Sequence, residues 1–323
     1  MQPFLREMVW GGRRLEQYGK QLPPDGKIGE SWELSAYPGM ESVVSSGPLV
    51  GCSLPQLLQE YGARLLGEKI WDRYEGNFPL LVKLIDANED LSIQVHPDDA
   101  YVRLHDLDRF GKMEAWYVLR HSTGRFATGL KKGTSRSQFE QALEQEKVLD
   151  VVEFYDATAD QFVFVPPGIV HAACAGVMIY EIQQSSDVTF RLYDYDRVGN
   201  DGKPRELHVT QGLEVVDFDN VAPVPVQIDS EQHQKCTNLV CSERFDLILY
   251  ESVNNEQLLA SGDTFMSITV IDGGSLHCVG GDGQRIILAL GETALVPAQC
   301  AITVRAGVPT KYLVASPPSG DIT

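Results

Sequence analysis

Apolar and polar residues alternate strictly from Ser92 to His96, where the chain reads Ser-Ile-Gln-Val-His. Successive side chains of an extended strand point to opposite faces, so Ser92, Gln94 and His96 share one face while Ile93 and Val95 share the other. This pattern predicts a strand that packs branched apolar groups on one side and gathers polar groups on the other.

Two more candidate ligands flank predicted strands. Glu114 precedes the apolar run 115–119, which is rich in residues that favour β structure. His171 follows a Pro-Pro-Gly turn that would deliver it to a new strand. Together with Gln94 and His96 these side chains form a nitrogen and oxygen set of the kind that binds zinc or another divalent cation. Because a single histidine is more often structural, spacing alone leaves a metal site and a structural role open.

Helices are predicted over residues 53–66, from residue 97 onward and over 135–149. Asp98 and Asp99 stand where carboxylates favour a helix N-terminus, so we assign them a structural role and exclude them from the metal set. From about residue 150 the chain is β-rich. A Pro-rich segment at 221–225 marks the predicted boundary between domains at 1–220 and 226–323.

In the segment 226–323, short predicted strands recur between glycine turns. This pattern predicts one small all-β domain. Its predicted strands are 245–250, 265–271, 284–288, 293–296, 301–304 and 312–315. His233 and His277 have no histidine or carboxylate partner at a ligand-like spacing, so we expect this domain to bind no metal.

Charge and composition limit the kinds of partner that the protein is expected to bind. The 323 residues carry a net charge of −18, which argues against binding to nucleic acid or to an anionic membrane but leaves an anionic small molecule possible. No apolar run approaches the ~20 residues needed to span a bilayer, and the first residues lack a signal core. Six scattered cysteines are typical of reduced thiols. We therefore expect a cytoplasmic protein.

A series of motifs over residues 1–215 gives a more specific indication of the protein's family. They are GESWELS at 29–35, PLLVK at 79–83, LSIQVHPDD at 91–99, GKMEAWY at 111–117, PPGIVH at 166–171 and TFRLYDYDR at 189–197. These motifs resemble those of the type I mannose-6-phosphate isomerases (phosphomannose isomerases), particularly their short bacterial branch. The resemblance implies a mainly β protein with two cupin, or jelly-roll β-barrel, domains. A helical insertion would occupy about residues 53–150, and the C-terminal cupin would be metal-free.

The same resemblance implies a zinc-dependent aldose–ketose isomerase that interconverts mannose 6-phosphate and fructose 6-phosphate through a cis-enediol. One zinc ion per chain would be bound by Gln94, His96, Glu114 and His171. Two alternatives remain: a non-catalytic, regulatory cupin that binds sugar phosphates, and an iron-dependent cupin oxygenase.

Further roles are carried over from the family motifs. Lys112 corresponds to the pocket lysine and Arg191 to the active-site arginine. Glu181 corresponds approximately to a pocket carboxylate, although its spacing from His171 differs by one residue from the longer branch. Gly111 stands where that branch has a histidine proposed for ring opening, so another group or water must carry that proton.

The family places its phosphate contacts at Lys83, Ser92 and Arg197. Read without the resemblance, Lys83 is a strand-end lysine with a solvated ammonium group. Arg191 and Arg197 lie in an Arg/Asp-rich segment, where pairing with neighbouring aspartates is a second reading. For Glu30 we favour a strand carboxylate on a wet face over a role in the pocket.

Overall fold

The computed structural model describes the chain at residues 1–199, 202–219, 222–229, 236–252 and 256–318. Within these ranges the chain forms four antiparallel sheets and a few short helices, so it is mainly β, as predicted. The apolar runs become strands because their side chains can be buried alternately on two packed faces.

The first two sheets share twelve strands: β1 Phe4–Gly12, β2 Ile28–Leu34, β3 Leu80–Asp86, β4 Ile93–Val95, β5 Glu114–Val118, β6 Arg125–Leu130, β7 Val152–Asp156, β8 Gln161–Val165, β9 His171–Ala173, β10 Met178–Gln184, β11 Phe190–Tyr193 and β12 Val226–Gln227. Sheet A has the spatial order β1-β2-β3-β10-β5-β8-β12, and sheet B has the order β11-β4-β9-β6-β7.

Nine strands build the other two sheets: β13 Cys236–Cys241, β14 Asp246–Ser252, β15 Glu256–Ala260, β16 Met266–Gly273, β17 Leu276–Gly280, β18 Arg285–Leu288, β19 Thr293–Val296, β20 Ala301–Ala306 and β21 Thr310–Ser316. Sheet C has the order β13-β14-β21-β16-β19, and sheet D has the order β15-β20-β17-β18. The six predicted strands correspond to β14, β16 and β18 to β21. Sequence reasoning missed β17 and the half-exposed edge strands β13 and β15, whose apolar signal is weak.

Helices lie between the strands of the first half: α1 Leu54–Tyr61, α2 Ala63–Leu66, α3 Glu68–Arg73, α4 Asp99–His105, α5 Arg136–Glu144 and α6 Val209–Val215, with 3₁₀ helices at Arg14–Tyr18 and Val148–Asp150. Asp98 caps α4 by accepting a hydrogen bond from the Tyr101 amide at 2.8 Å, which confirms its structural role. The range 53–150 contains α1 to α5 and also strands β3 to β6 of sheets A and B.

Sheets A and B face each other across a shared core, which contains Trp116 and Ile179 from sheet A and Phe126 from sheet B. The outer face of sheet A packs against helices α1 to α3 and against sheet C, with Tyr180 and Phe245 in one cluster. Sheets C and D enclose a separate core. Burying one large apolar side chain contributes about 1.5–3 kcal/mol to the free energy of unfolding. The cluster shared by sheets A and C therefore stabilises their packing against each other.

Candidate metal and substrate site

Sheets A and B both bring ligand-type side chains into the space between them. Sheet B supplies Gln94 on β4, His96 just beyond it and His171 at the start of β9. Sheet A supplies Glu114 at the start of β5. The register of sheet B places Gln94 directly opposite His171, while the apolar side chains of β4 pack in a different core, as the alternation predicts.

Three of these side chains form a compact, buried cluster. Ligand atoms of His96, Glu114 and His171 all lie within 4.8 Å of one another. The two Nε2 atoms are 3.1 Å apart, and the Glu114 carboxylate lies 3.4 Å from His96 Nε2 and 3.2 Å from His171 Nε2. The Gln94 amide is 3.3 Å from His171 Nε2, and half a turn of the amide presents its oxygen there.

Backbone carbonyls orient both imidazole rings. His96 Nδ1 lies 3.0 Å from the Val188 carbonyl oxygen, and His171 Nδ1 lies 2.8 Å from that of Ile169. Each Nδ1–H donates outward, so the Nε2 lone pairs point into the cluster. Burial and the Lys112 ammonium lower the pKa of His96 to about 3, and burial lowers the pKa of His171. Both rings are therefore neutral at pH 7.

The cluster fits a divalent cation. Burial acts to raise the pKa of Glu114, but the Lys112 ammonium lowers it well below the ordinary value, so the carboxylate is ionised. Among the described residues, neither of its oxygens has a hydrogen-bond donor in acceptable geometry, although Lys112 Nζ lies 2.7 Å from one of them. Two neutral imidazole nitrogens and a carboxylate that converge in this way match the ligand types of zinc, and the Lys112 ammonium lies at the edge of the cluster, 2.9 Å from His96 Nε2.

A cavity of about 220 Å³ opens beside the cluster. Its lining includes the predicted residues Lys83, Ser92, Lys112, Glu181 and Arg191. The structure thus brings five of the six predicted catalytic and substrate-binding residues to one cavity next to the predicted ligands.

Glu30 also lines this cavity, and its exposure of 7% shows that the prediction of a wet strand face is wrong. The pairing of β2 with β3 places Glu30 opposite Ile85, two residues along the strand from Lys83. The Nζ atom of Lys83 lies 3.8 Å from Glu30 and 3.2 Å from Glu181. The alternative prediction for Lys83, a strand-end lysine with a solvated ammonium group, is wrong as well, because its side chain is only 3% exposed.

The two carboxylates that flank Lys83 differ in their proton affinity. Burial, reinforced by the charge of Glu114, raises the pKa of Glu181. Burial acts in the same direction on Glu30, but the charges of Lys83 and Arg6 outweigh it and lower the pKa. Each carboxylate also accepts a hydrogen bond from an indole, at 2.9 Å from Trp116 to Glu181 and at 2.6 Å from Trp32 to Glu30. Two carboxylates on one lysine thus have opposite pKa shifts, which favours Glu181 as a proton carrier.

Arg205, which sequence reasoning missed, lines the cavity beside Arg191. Both Arg205 and Arg197 form ion pairs with Asp194, so the pairing expected from the Arg/Asp-rich segment is confirmed for Arg197. The Arg191 side chain instead donates to the Glu206 carbonyl oxygen at 2.7 Å. Two guanidinium groups thus share the Asp194 carboxylate, and the Arg191 guanidinium forms no ion pair with it among the described residues. No local sequence pattern identified Arg205, because its contact with Asp194 depends on the tertiary structure.

The side chain missing at Gly111 has a steric explanation. A Cβ atom there would lie 2.4 Å from the Asp98 carbonyl carbon and 2.6 Å from the Asp99 nitrogen. This close approach to the start of α4 excludes a histidine in the observed backbone arrangement.

Among the described residues of the C-terminal region, no histidine belongs to a group of metal-ligating side chains. His277 lies exposed on β17, and His233 lies outside the described residues. All six cysteines are free thiols, as expected. In the part of the chain that the structure describes, no helix is long and apolar enough to cross a membrane.

Comparison with known proteins identifies the family of this chain. A family model for the catalytic domain of type I phosphomannose isomerase matches residues 1–113. The chain is 36% identical over 225 residues to the probable mannose-6-phosphate isomerase GmuF of Bacillus subtilis, covering 69% of this chain and 70% of that protein. It is 32% identical over 315 residues to mannose-6-phosphate isomerase ManA of the same organism, covering 93% and 96%.

A solved structure shows the same fold over nearly the whole length. The crystal structure of the mannose 6-phosphate isomerase from Bacillus subtilis superposes with a TM-score of 0.83 at 29% identity, covering 97% of each chain. Sequence similarity over almost the full length and the shared fold thus lead to the same assignment. The chain belongs to the type I mannose-6-phosphate isomerase family.

Proposed function

We propose that this protein interconverts mannose 6-phosphate and fructose 6-phosphate through a cis-enediol, with one zinc ion held by Gln94, His96, Glu114 and His171. The observation that carries the proposal is a cavity lined by Lys112, Glu181 and Arg191 that lies next to a buried ligand cluster drawn from two sheets. When bound, the zinc ion supplies a Lewis acid toward the sugar oxygens.

Proton transfer between C1 and C2 needs a base inside the cavity. Glu181 has the raised pKa that suits this role, and the indole of Trp116 holds its carboxylate in place. Lys83 fixes the other oxygen from 3.2 Å. Lys112, whose Nζ lies 2.9 Å from His96 Nε2, is the second candidate and the closest cation to the ligand cluster.

Arg191 would offset the negative charge that develops on the enediolate oxygen. It is paired with Gln94 across the strands β11 and β4, so its side chain starts from the same face of sheet B as that proposed ligand. Burial, together with the charge of Arg205, lowers the pKa of Arg191, and its Nε atom is buried without a partner among the described residues. An unpaired buried donor of this kind favours an anionic ligand.

We assign the phosphoryl group to Ser92 and Arg205, with a supporting role for Arg197, which does not line the cavity but shares Asp194 with Arg205. Ser92 shares its face with Gln94, with Oγ 3.3 Å from the amide oxygen, so the phosphate end and the ligand cluster belong to one strand. Lys83, the third residue that the family resemblance suggests, already lies between two carboxylates. We therefore expect it to contribute chiefly by orienting Glu181.

The domain organisation that accompanies this function is a catalytic cupin over 1–220 and a metal-free cupin over 226–323. Sheets A and B around one core, and sheets C and D around another, support this division. Strand β12 at Val226–Gln227 lies across the boundary, because it pairs with β8 in sheet A.

A coupled assay on mannose 6-phosphate, with and without a chelator, tests the function. We expect turnover that chelation abolishes and zinc restores. A purified, zinc-loaded protein that binds the sugar phosphate without turnover would support the regulatory alternative. Oxygen consumption with iron would support the oxygenase.

The pH dependence of kcat/KM should reveal the raised pKa of Glu181. A base acts when deprotonated, so kcat/KM should rise with pH through this pKa, and the acid limb should lie above ~4.3, the ordinary glutamate value. Loss of His96 as a ligand by protonation is expected only at lower pH, because its pKa is lowered to about 3. Zinc content measured at each pH separates the two causes, and an acid limb that follows zinc loss would contradict this assignment.

Replacing Arg205 by alanine should raise KM for mannose 6-phosphate about 10- to 100-fold, because a charge-assisted hydrogen bond contributes ~1.5–3 kcal/mol. Arg197→Ala should act in the same direction. Weak activity on unphosphorylated mannose should change little, and Arg136→Ala on the exposed face of α5 is the control. If KM rose equally for mannose 6-phosphate and for mannose, Arg205 would serve only to hold Asp194.

A further inference from the structure

The loop that enters β5 is held by three backbone amides. Gly111 N–H donates to Asp99 Oδ1 at 2.7 Å, Lys112 N–H to the Pro97 carbonyl at 2.9 Å, and Met113 N–H to Gln184 Oε1 at 3.0 Å. All three loop residues are buried. This loop determines where the Lys112 ammonium lies.

The two side chains that hold the ends of the loop are joined to each other. Asp99 Oδ1 also accepts a hydrogen bond from Gln184 Nε2 at 2.9 Å. The other oxygen, Asp99 Oδ2, lies 2.7 Å from Nη2 of Arg244, which belongs to sheet C's first hairpin. With side-chain exposures of 23% for Arg244 and 18% for Asp99, this ion pair is largely shielded from water. A path of direct contacts therefore connects the C-terminal region to the loop.

Arg244 projects from a rigid turn between β13 and β14. Ser242 Oγ accepts hydrogen bonds from the amides of Arg244 at 3.2 Å and Phe245 at 3.0 Å, and it donates to the Phe245 carbonyl at 2.7 Å. The Phe245 side chain is fully buried in the core shared with sheet A. Arg73 of α3 donates to the Glu243 carbonyl at 3.1 Å. These contacts hold the turn on both sides, so they fix the backbone from which the Arg244 side chain extends.

We propose that Arg244 is a positioning residue for the isomerase site, because it acts through Asp99 to hold the loop 111–113 and the Lys112 ammonium in place. The kinetic part of this inference rests on the proposed function. The C-terminal region would then contribute to turnover without touching substrate. Glu114 is expected to be less affected, because strand pairing with Val165 and Gln183 holds its backbone independently.

Hydrogen exchange provides a readout that does not depend on catalysis. In Arg244→Gln, the amides of Gly111 and Met113 should exchange at least about tenfold faster than in the wild type. Arg244→Lys should restore most of the protection. The matched control is Lys311→Gln, which removes another ion pair between the two halves of the chain, 2.8 Å from Asp160 and with a side-chain exposure of 16%. It should leave the loop amides unchanged. Unchanged exchange in Arg244→Gln, or an equal effect of Lys311→Gln, would overturn the proposal.

Kinetics test the consequence for the site. We expect Arg244→Gln to lower kcat about tenfold, with KM and zinc content within twofold of the wild type. Adding Arg244→Gln to Asp99→Asn should cause little further loss, because both changes interrupt one path. Fully additive losses, or faster exchange with an unaltered kcat, would refute the positioning role. A wild-type protein without turnover would instead refute the proposed function, while the exchange result would still decide whether Arg244 holds the loop.

Discussion

Replacing His96 by alanine is expected to abolish zinc binding and isomerase activity together. His96 Nε2 lies 3.1 Å from His171 Nε2 and 3.4 Å from the Glu114 carboxylate, so its removal opens the centre of the cluster. Lewis-acid stabilisation contributes several kcal/mol to such reactions, and each ~1.4 kcal/mol is a factor of ten. Activity should therefore fall by about a thousandfold or more.

The measurements are zinc content after dialysis and turnover of mannose 6-phosphate with zinc in excess. The matched control is His277→Ala, which removes an exposed histidine of β17 and should leave both quantities unchanged. Full zinc content in an inactive His96→Ala protein would show that His96 acts on the substrate rather than as a ligand. Zinc loss in His277→Ala would contradict the metal-free reading of the C-terminal region.

The second large effect is expected for Glu181→Gln, which should lower kcat about 10²- to 10⁴-fold, the usual contribution of a general base. Glutamine keeps the size of the side chain and an acceptor for the Trp116 indole but cannot take up the proton. KM and zinc content should change little. The acid limb of the pH profile should disappear together with the base.

Glu30→Gln is the informative comparison, because Glu30 also flanks Lys83 and accepts from an indole but has a lowered pKa. It should lower kcat by less than about tenfold. Equal losses in the two variants would mean that both carboxylates serve only to hold Lys83. A Glu181→Gln protein that retains its kcat would leave Lys112 as the proton carrier.

Local patterns in the sequence were sufficient to predict many elements near the site. The alternation from Ser92 to His96 predicted which residues of β4 face the cavity, and the Pro-Pro-Gly turn correctly placed His171 at the start of a strand. Asp98 was correctly read as a helix cap. These predictions succeed because strand periodicity and helix capping depend on neighbours within a few residues.

Burial of single polar residues was less predictable. Glu30 was assigned to a wet face, yet it is enclosed because the partner sheet B covers that side of sheet A. A strand that alternates polar and apolar residues shows which side chains share a face. It does not show whether that face meets water or another sheet.

The sequence by itself determined the fold class, the six C-terminal strands that were predicted and, through its family motifs, the candidate ligands and catalytic residues. Only the tertiary structure decided that Lys83 is held by Glu30 and Glu181, that Arg205 joins Arg191 at the cavity, and that Arg244 reaches Asp99. The physical reason is sequence separation. Arg244 and Asp99 are brought within 2.7 Å only by the packing of sheet C on sheet A, and no local pattern records a contact between residues so far apart in the chain.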